Sequence, residues 1–210
     1  WHLAHSLLSP YLNLGLLLPE EVVAAASREF VLGRVPISSA EGFIRQIIGW
    51  REFIWNCYWQ WMPEYAQMNS LEATRDLPQL FTNPDKTSMA CMKSVLHGVN
   101  ERSYSHHIER LMILGNFSLI AGINPQQLTE WMWNSYVDAA EWVMVPNVIG
   151  MSQYADGGML STKPYASGGA YIDRMSDHCK GCAYDRKKRV GDDACPFTVL
   201  YWDFFLRHQD

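Results

Sequence analysis

Ser38-Ser39-Ala40-Glu41-Gly42-Phe43-Ile44-Arg45-Gln46-Ile47-Ile48-Gly49-Trp50-Arg51-Glu52-Phe53-Ile54-Trp55-Asn56-Cys57-Tyr58-Trp59-Gln60-Trp61 is the run that decides the fold class. Phe43, Ile47, Trp50, Ile54, Tyr58 and Trp61 recur at steps of three and four, the spacing of one helix face. Ser38 or Ser39 is a cap and Pro63 a stop, so the run predicts a long central helix with a buried stripe. Upstream, Pro19-Glu20-Glu21 followed by Val22 to Leu32 and Gly33 predicts a helix with proline at its start, acids in its first turn and glycine at its end. Downstream, the polar stretch from Gln67 to Lys86 predicts an irregular crossover. Helices are expected over Met89 to Val99 and over Tyr104 to Ala121. Another is expected from Pro125, with Leu128, Trp131, Ser135, Asp138 and Trp142 on one side, and a last one over Pro196 to His208. The Asn, Gly, Ser and Pro texture of Pro146 to Gly169 predicts a long loop, a length that is usually functional. Alternating strand patterns are almost absent. The class is all-α, and with no repeat or Gly/Ser linker, residues 1–210 are expected to form one domain.

Of the 210 residues, 48% are hydrophobic and 19% charged, a composition that excludes disorder. The aromatic share of 13% either fills a core or lines a cavity for a flat ligand. Leu111 to Ile123 is the most apolar stretch, interrupted by Asn116 and Ser118 and shorter than the roughly 20 residues a bilayer requires, so no membrane contact is expected. A net charge of −5 gives no bulk attraction for a polyanion, and any nucleic-acid contact must be local. The basic run Arg186-Lys187-Lys188-Arg189 reads first as a solvated loop. Five cysteines and no secretory signal point to a reducing compartment, the cytoplasm. The chain opens on Trp1-His2-Leu3 with no initiator Met, and is expected to be an excised piece.

Cys179-Lys180-Gly181-Cys182 and Cys195-Pro196 place three thiols within seventeen residues. A Cys-x-x-Cys hairpin turns two sulfurs toward one centre, and Gly181 lets the backbone make that turn. A fourth ligand would come from Cys91, Cys57 or His178, with Cys91 preferred because Cys57 sits in an apolar helix. Spacing alone leaves zinc and an iron–sulfur cluster open. Thioredoxin-type redox chemistry is not expected, since no βαβ pattern surrounds the motif.

Lys163-Pro164-Tyr165, the run Tyr171 to Cys182, Cys195-Pro196-Phe197 and Leu200-Tyr201-Trp202-Asp203-Phe204 together resemble the iron–sulfur bacterial cryptochromes and photolyases, flavoproteins related to (6-4) photolyases. The resemblance implies that Cys91, Cys179, Cys182 and Cys195, separated by 88, 3 and 13 residues, hold a 4Fe–4S cluster. It implies a helical FAD-binding catalytic domain with an iron–sulfur loop, and an α/β antenna domain, with its antenna chromophore, outside this sequence. His5 to Gly15 resembles the segment that holds the FAD pyrophosphate, through Ser6, Ser9 and a helix opened by Pro10; alone it would be a helix start with two capping serines.

Gln46 to Phe53 resembles the Trp-Arg-Glu helix, with Gln46 and Arg51 near the flavin, Trp50 toward the lesion and Gly49 as an insertion. In His106-His107-Ile108-Glu109-Arg110, His107 resembles the proton donor beside the lesion, with His106 next to it. Arg110 resembles the arginine that pairs with an acid at the isoalloxazine. Glu141 in the run Asp138-Ala139-Ala140-Glu141 is its expected partner, and Asp138 belongs to the same flavin-binding set. Asn147 corresponds to the residue near flavin N5, and Tyr165 to a residue of the lesion pocket. Met151 stands where conventional photolyases have the flavin-proximal Trp, which directs electron transfer to Trp131 or Trp133. The activity implied is light-driven repair of (6-4) pyrimidine–pyrimidone lesions in UV-damaged DNA by a monomeric lyase; the alternative is a cryptochrome-like blue-light sensor without repair.

Overall fold

The computed structural model describes residues 1–209. It is built from helices α1 (Ser9–Asn13), α2 (Pro19–Val31), α3 (Ile37–Ile44), α4 (Arg51–Trp61), α5 (Ala90–Arg102), α6 (His107–Glu109), α7 (Asn116–Ala121), α8 (Pro125–Ser135), α9 (Glu141–Val145), α10 (Gly169–Met175) and α11 (Pro196–Arg207). Two isolated bridges, Arg75 to Ile123 and Asp185 to Ala194, are the only β pairing among the described residues, so the class is all-α as expected. No helix among them is long and apolar enough to cross a membrane.

The local signals explain the helix ends. Glu21 accepts a hydrogen bond from the Leu18 N–H at the start of α2, and Gly33 takes a left-handed φ of 70° just past its end. Asn124 accepts from the Gln127 N–H to cap α8, ahead of Pro125 in its first turn. The core lies between α5, α7, α8 and α11, where Met92, Leu114, Ile120, Leu128 and Phe197 are fully buried. Burying each such side chain contributes about 1.5–3 kcal/mol.

Three helical segments depart from the α-helical period. Arg45–Trp50 joins α3 to α4, Arg110–Gly115 joins α6 to α7, and Pro146–Ser152 continues α9, each wound as a π-turn. One surplus residue in a helix produces such a turn, often at a functional site. The inferred insertion at Gly49 falls inside the first of them.

Several expectations are corrected. The loop predicted from Pro146 to Gly169 begins as the third π-turn. The helix from Pro125 ends at Ser135, so Asp138 lies in a turn and Trp142 on α9 rather than on the same face as Leu128. Helix was expected from Tyr104, but it starts at His107. The stripe from Phe43 to Trp61 is not uniformly buried: Ile47 and Ile54 are, while Trp50 is 48% exposed.

Candidate active site

The three π-turns line one cavity of about 730 Å³, within the usual size of a ligand pocket. Gln46, Ile47 and Trp50 come from the first turn, Arg110 and Leu111 from the second, and Asn147, Val148 and Met151 from the third. Ala4 to Ser9, Arg51, His107, Asp138, Trp142 and Tyr165 complete much of the wall. Backbone reversals at Leu3, Ala4 and Leu7, all with positive φ, bend the N-terminal stretch along the rim.

Its electrostatic centre is Arg110. The guanidinium donates to both carboxylate oxygens of Asp138, at 2.9 and 3.1 Å, and through Nε to the Ser105 carbonyl at 2.7 Å. It lies 4.0 Å above the Tyr136 ring, and Asp138 also accepts from Ser9 Oγ at 2.6 Å. A bidentate, nearly buried pair of this kind fixes both groups. The expected partner, Glu141, is not the one used: it lies on α9 outside the cavity lining, where burial and a hydrogen bond to Glu141 push the Tyr58 phenol upward in pKa. Asp138 reaches Arg110 because the chain leaves α8 at Tyr136 and turns back.

Arg51 donates to Asn13 Oδ1 at 2.8 Å and to the Leu12 carbonyl at 3.2 Å, and stacks 4.7 Å above Trp142. Asn147 is held by its Nδ2 bond to the Val143 carbonyl at 2.8 Å. Ser6 lines the cavity, whereas Ser9 is committed to Asp138. Helix α1 has only five residues, so the anion-favouring end assigned to Pro10 carries little dipole.

His107 lines the cavity and its side chain is exposed there. Desolvation, with Arg110 and His5 nearby, lowers its pKa from 6.5 to about 4. His106 does not share that cavity. Its ring stacks on His5 at 4.9 Å, its Nδ1 accepts from the Glu109 N–H, and burial foremost lowers its pKa to about 4 as well.

Trp131 packs edge-on to Phe81 and Tyr136 and Trp133 is exposed, and neither lines the cavity. The aromatic contacts that lead from the wall to the surface are Trp142 to Trp55, at 5.2 Å between ring centroids, and Trp55 to Trp59, at 5.6 Å. Sequence reading missed this ladder because its members are 87 residues apart at the first step and share no motif.

Cys91, Cys179, Cys182 and Cys195 line a second, small void, together with Gly169, Ile172 and His178. Cys57 lies elsewhere, buried on α4. Gly181 adopts a φ of 79°, the left-handed turn its position requires. Burial first, and then the three neighbouring thiols, push the Cys91 pKa up to about 12. Among the described residues no three His, Cys, Asp or Glu side chains converge closely enough to hold a single metal ion. The four thiols share the lining of that void, a donor set that either a zinc ion or an iron–sulfur cluster would accept.

Comparison with known proteins finds 54% identity over 209 residues to a (6-4) photolyase of Agrobacterium fabrum, covering 100% of this chain and 41% of that relative. An uncharacterized protein of Acanthamoeba polyphaga mimivirus is 39% identical over 99 residues, 47% of this chain and 73% of that protein. No family model matches. The chain therefore spans less than half the length of the photolyase it matches.

Proposed function

We propose that this chain, 54% identical over its whole length to a (6-4) photolyase of which it spans 41%, is the FAD-binding catalytic part of a monomeric (6-4) photolyase acting on UV-damaged DNA in the cytoplasm. The observation that carries the reading is the convergence of His107, the Arg110–Asp138 pair, Asn147 and Trp50 on a single cavity from distant stretches of chain. Bound FAD would supply light absorption and the electron for the lesion. The residues suit that group: a cavity with a largely apolar lining also takes in the Arg110 and Arg51 guanidinium groups and the Ser6 hydroxyl.

Arg110, held in place by Asp138, would stand as a fixed cation facing the negative charge of a reduced flavin and would not need to move as that charge changes. Asn147 and Gln46 would position the ring, and Trp50 and Tyr165 would pack against a base extruded from the duplex. His107 would deliver a proton to the lesion. Desolvation, with Arg110 and His5 nearby, weakens its hold on a proton in the free cavity, and negative charge on flavin and DNA phosphates would strengthen it again. Trp142, Trp55 and Trp59 would form the route by which electrons reach the cavity from solvent, in place of Trp131 or Trp133. We place a 4Fe–4S cluster at Cys91, Cys179, Cys182 and Cys195, with the α/β antenna domain and its chromophore in the part of the protein outside this chain.

The test is repair by the full-length protein, reduced and illuminated with an oligonucleotide carrying a (6-4) lesion. Restoration of the bases is expected, and His107→Ala should abolish it while flavin absorbance is retained. Retained flavin with no repair by the wild type would overturn the enzyme in favour of a light-sensing cryptochrome.

A further inference from the structure

The two pockets are joined by five residues. Tyr165 stands on the cavity wall and Gly169 on the wall of the thiol void, so the segment 165–169 bridges them. Both of its faces are pinned. On one side Asn116, fully buried at the start of α7, donates to the Ser167 carbonyl at 2.8 Å and to Ser167 Oγ at 3.0 Å, and accepts from the Ser167 N–H at 2.9 Å. On the other, Thr198 of α11 accepts from the Gly169 N–H at 3.2 Å and donates to the Arg186 carbonyl at 2.9 Å.

The end of the segment touches a thiol directly. A Cβ built on Gly169 would lie 2.9 Å from Cys195 Sγ and 3.1 Å from Thr198 Oγ1, so the backbone approaches the sulfur as closely as a glycine allows. A shift of Cys195 toward Gly169 would thus meet backbone with no slack, two residues from the Asn116 clamp.

We infer that Asn116 is a positioning residue for the Tyr165 rim, and that the segment it clamps transmits the state of the thiol pocket to the DNA-facing wall. The inference rests on the reading of the two pockets as cluster and lesion sites. A fully buried side chain that places both donors and an acceptor on a single residue, two bonds to its backbone and one to its hydroxyl, holds that residue in one position. Ser167 has no chemistry of its own in the cavity, whereas Tyr165, two residues away, does.

The experiment uses the full-length, flavin- and iron-loaded protein. In Asn116→Ala, amide hydrogen exchange at residues 167–169 should rise about tenfold or more, on the scale of lost buried hydrogen bonds. KM for lesion-containing DNA should rise about tenfold while kcat under saturating DNA stays within about twofold. Faster exchange with an unchanged KM would overturn the positioning role. If Asn116→Ala does not fold, Ser167→Ala, which removes one of the three bonds, gives the same comparison in milder form. The second arm removes iron from the wild type with a chelator. Exchange at 167–169 should rise while that of α2 does not, and continued protection of the segment would overturn the coupling. Purified wild type with no iron would instead reject the cluster reading, and the Asn116 arm would still decide the positioning role.

Discussion

Arg110 and Asp138 show how a partner is chosen by chain geometry and not by sequence distance from a motif. Their side chains are 14% and 6% exposed, so removing one member leaves an uncompensated charge in a dry site. Asp138→Asn is expected to cost about 3 kcal/mol, a fall in Tm of roughly 10 °C for a chain of this size, against less than about 0.5 kcal/mol for Glu141→Gln. Thermal denaturation of the two variants side by side checks it.

The two histidines carry a second prediction. Unfolded rings take up protons below pH 6.5, whereas native His106 and His107 refuse them until about pH 4, so their contribution is complete above 6.5 and is lost as pH falls toward 4. Glu109, raised by burial, acts in the opposite sense. The comparison must therefore be made by variant: His106→Gln should flatten the fall of Tm between pH 6.5 and 4. That these residues group together was legible in the sequence, since Ser6, Gln46, Trp50, Arg51, His107, Arg110, Asp138, Asn147 and Tyr165 all line one cavity. Pairings were not. Asp138 and Glu141 are three residues apart, and only the turn after α8 decides which of them meets Arg110.

At the scale of elements, helix α2 was readable almost to the residue because its proline, acids and glycine are local signals. The π-turns were unreadable for a physical reason. Each inserts one residue, which a count in steps of three and four absorbs without trace: Phe43, Ile47, Trp50 and Ile54 still line one cavity on both sides of the Arg45–Trp50 turn. Proline and glycine in Pro146–Ser152 looked like loop punctuation, but Gly150 is there because Tyr65 Oη and Leu160 crowd it: a Cβ would sit 2.2 Å and 2.7 Å from them.

The second and third turns press together at Gly115, where a Cβ would lie 2.1 Å from Ser152 Oγ and 2.9 Å from the Arg110 carbonyl oxygen. Gly115→Ala is expected to destabilise by about 1–3 kcal/mol. Adding Ser152→Ala should recover part of that loss by removing the nearer clash, as denaturant titration of the single and double variants would show. The aromatic ladder belongs to this scale too. Trp55→Phe should slow light-driven reduction of bound flavin in the presence of a thiol, measured by absorbance, with Trp133→Phe having little effect.

Across these 210 residues, a net charge of −5 means that the DNA binding proposed above would rest on local features. The cationic loop is largely engaged with the protein itself: Arg186 pairs with Asp173, Lys188 with Asp193, and Arg189 lies 4.7 Å over Trp202. The salt dependence of DNA affinity should accordingly be shallow, with a slope set by only a few phosphate contacts. One earlier contact has a kinetic meaning. The hydrogen bond from Ser9 to Asp138 closes a separation of 129 residues, and the cavity wall needs both ends of that span. Helices such as α2 and α5 form from neighbours, whereas this junction must wait for chain closure, which is entropically costly and slow. In refolding of the full-length protein, helical circular dichroism should recover before added FAD is captured. The interval between the two signals would measure how long the chain is helical but still unable to hold its flavin.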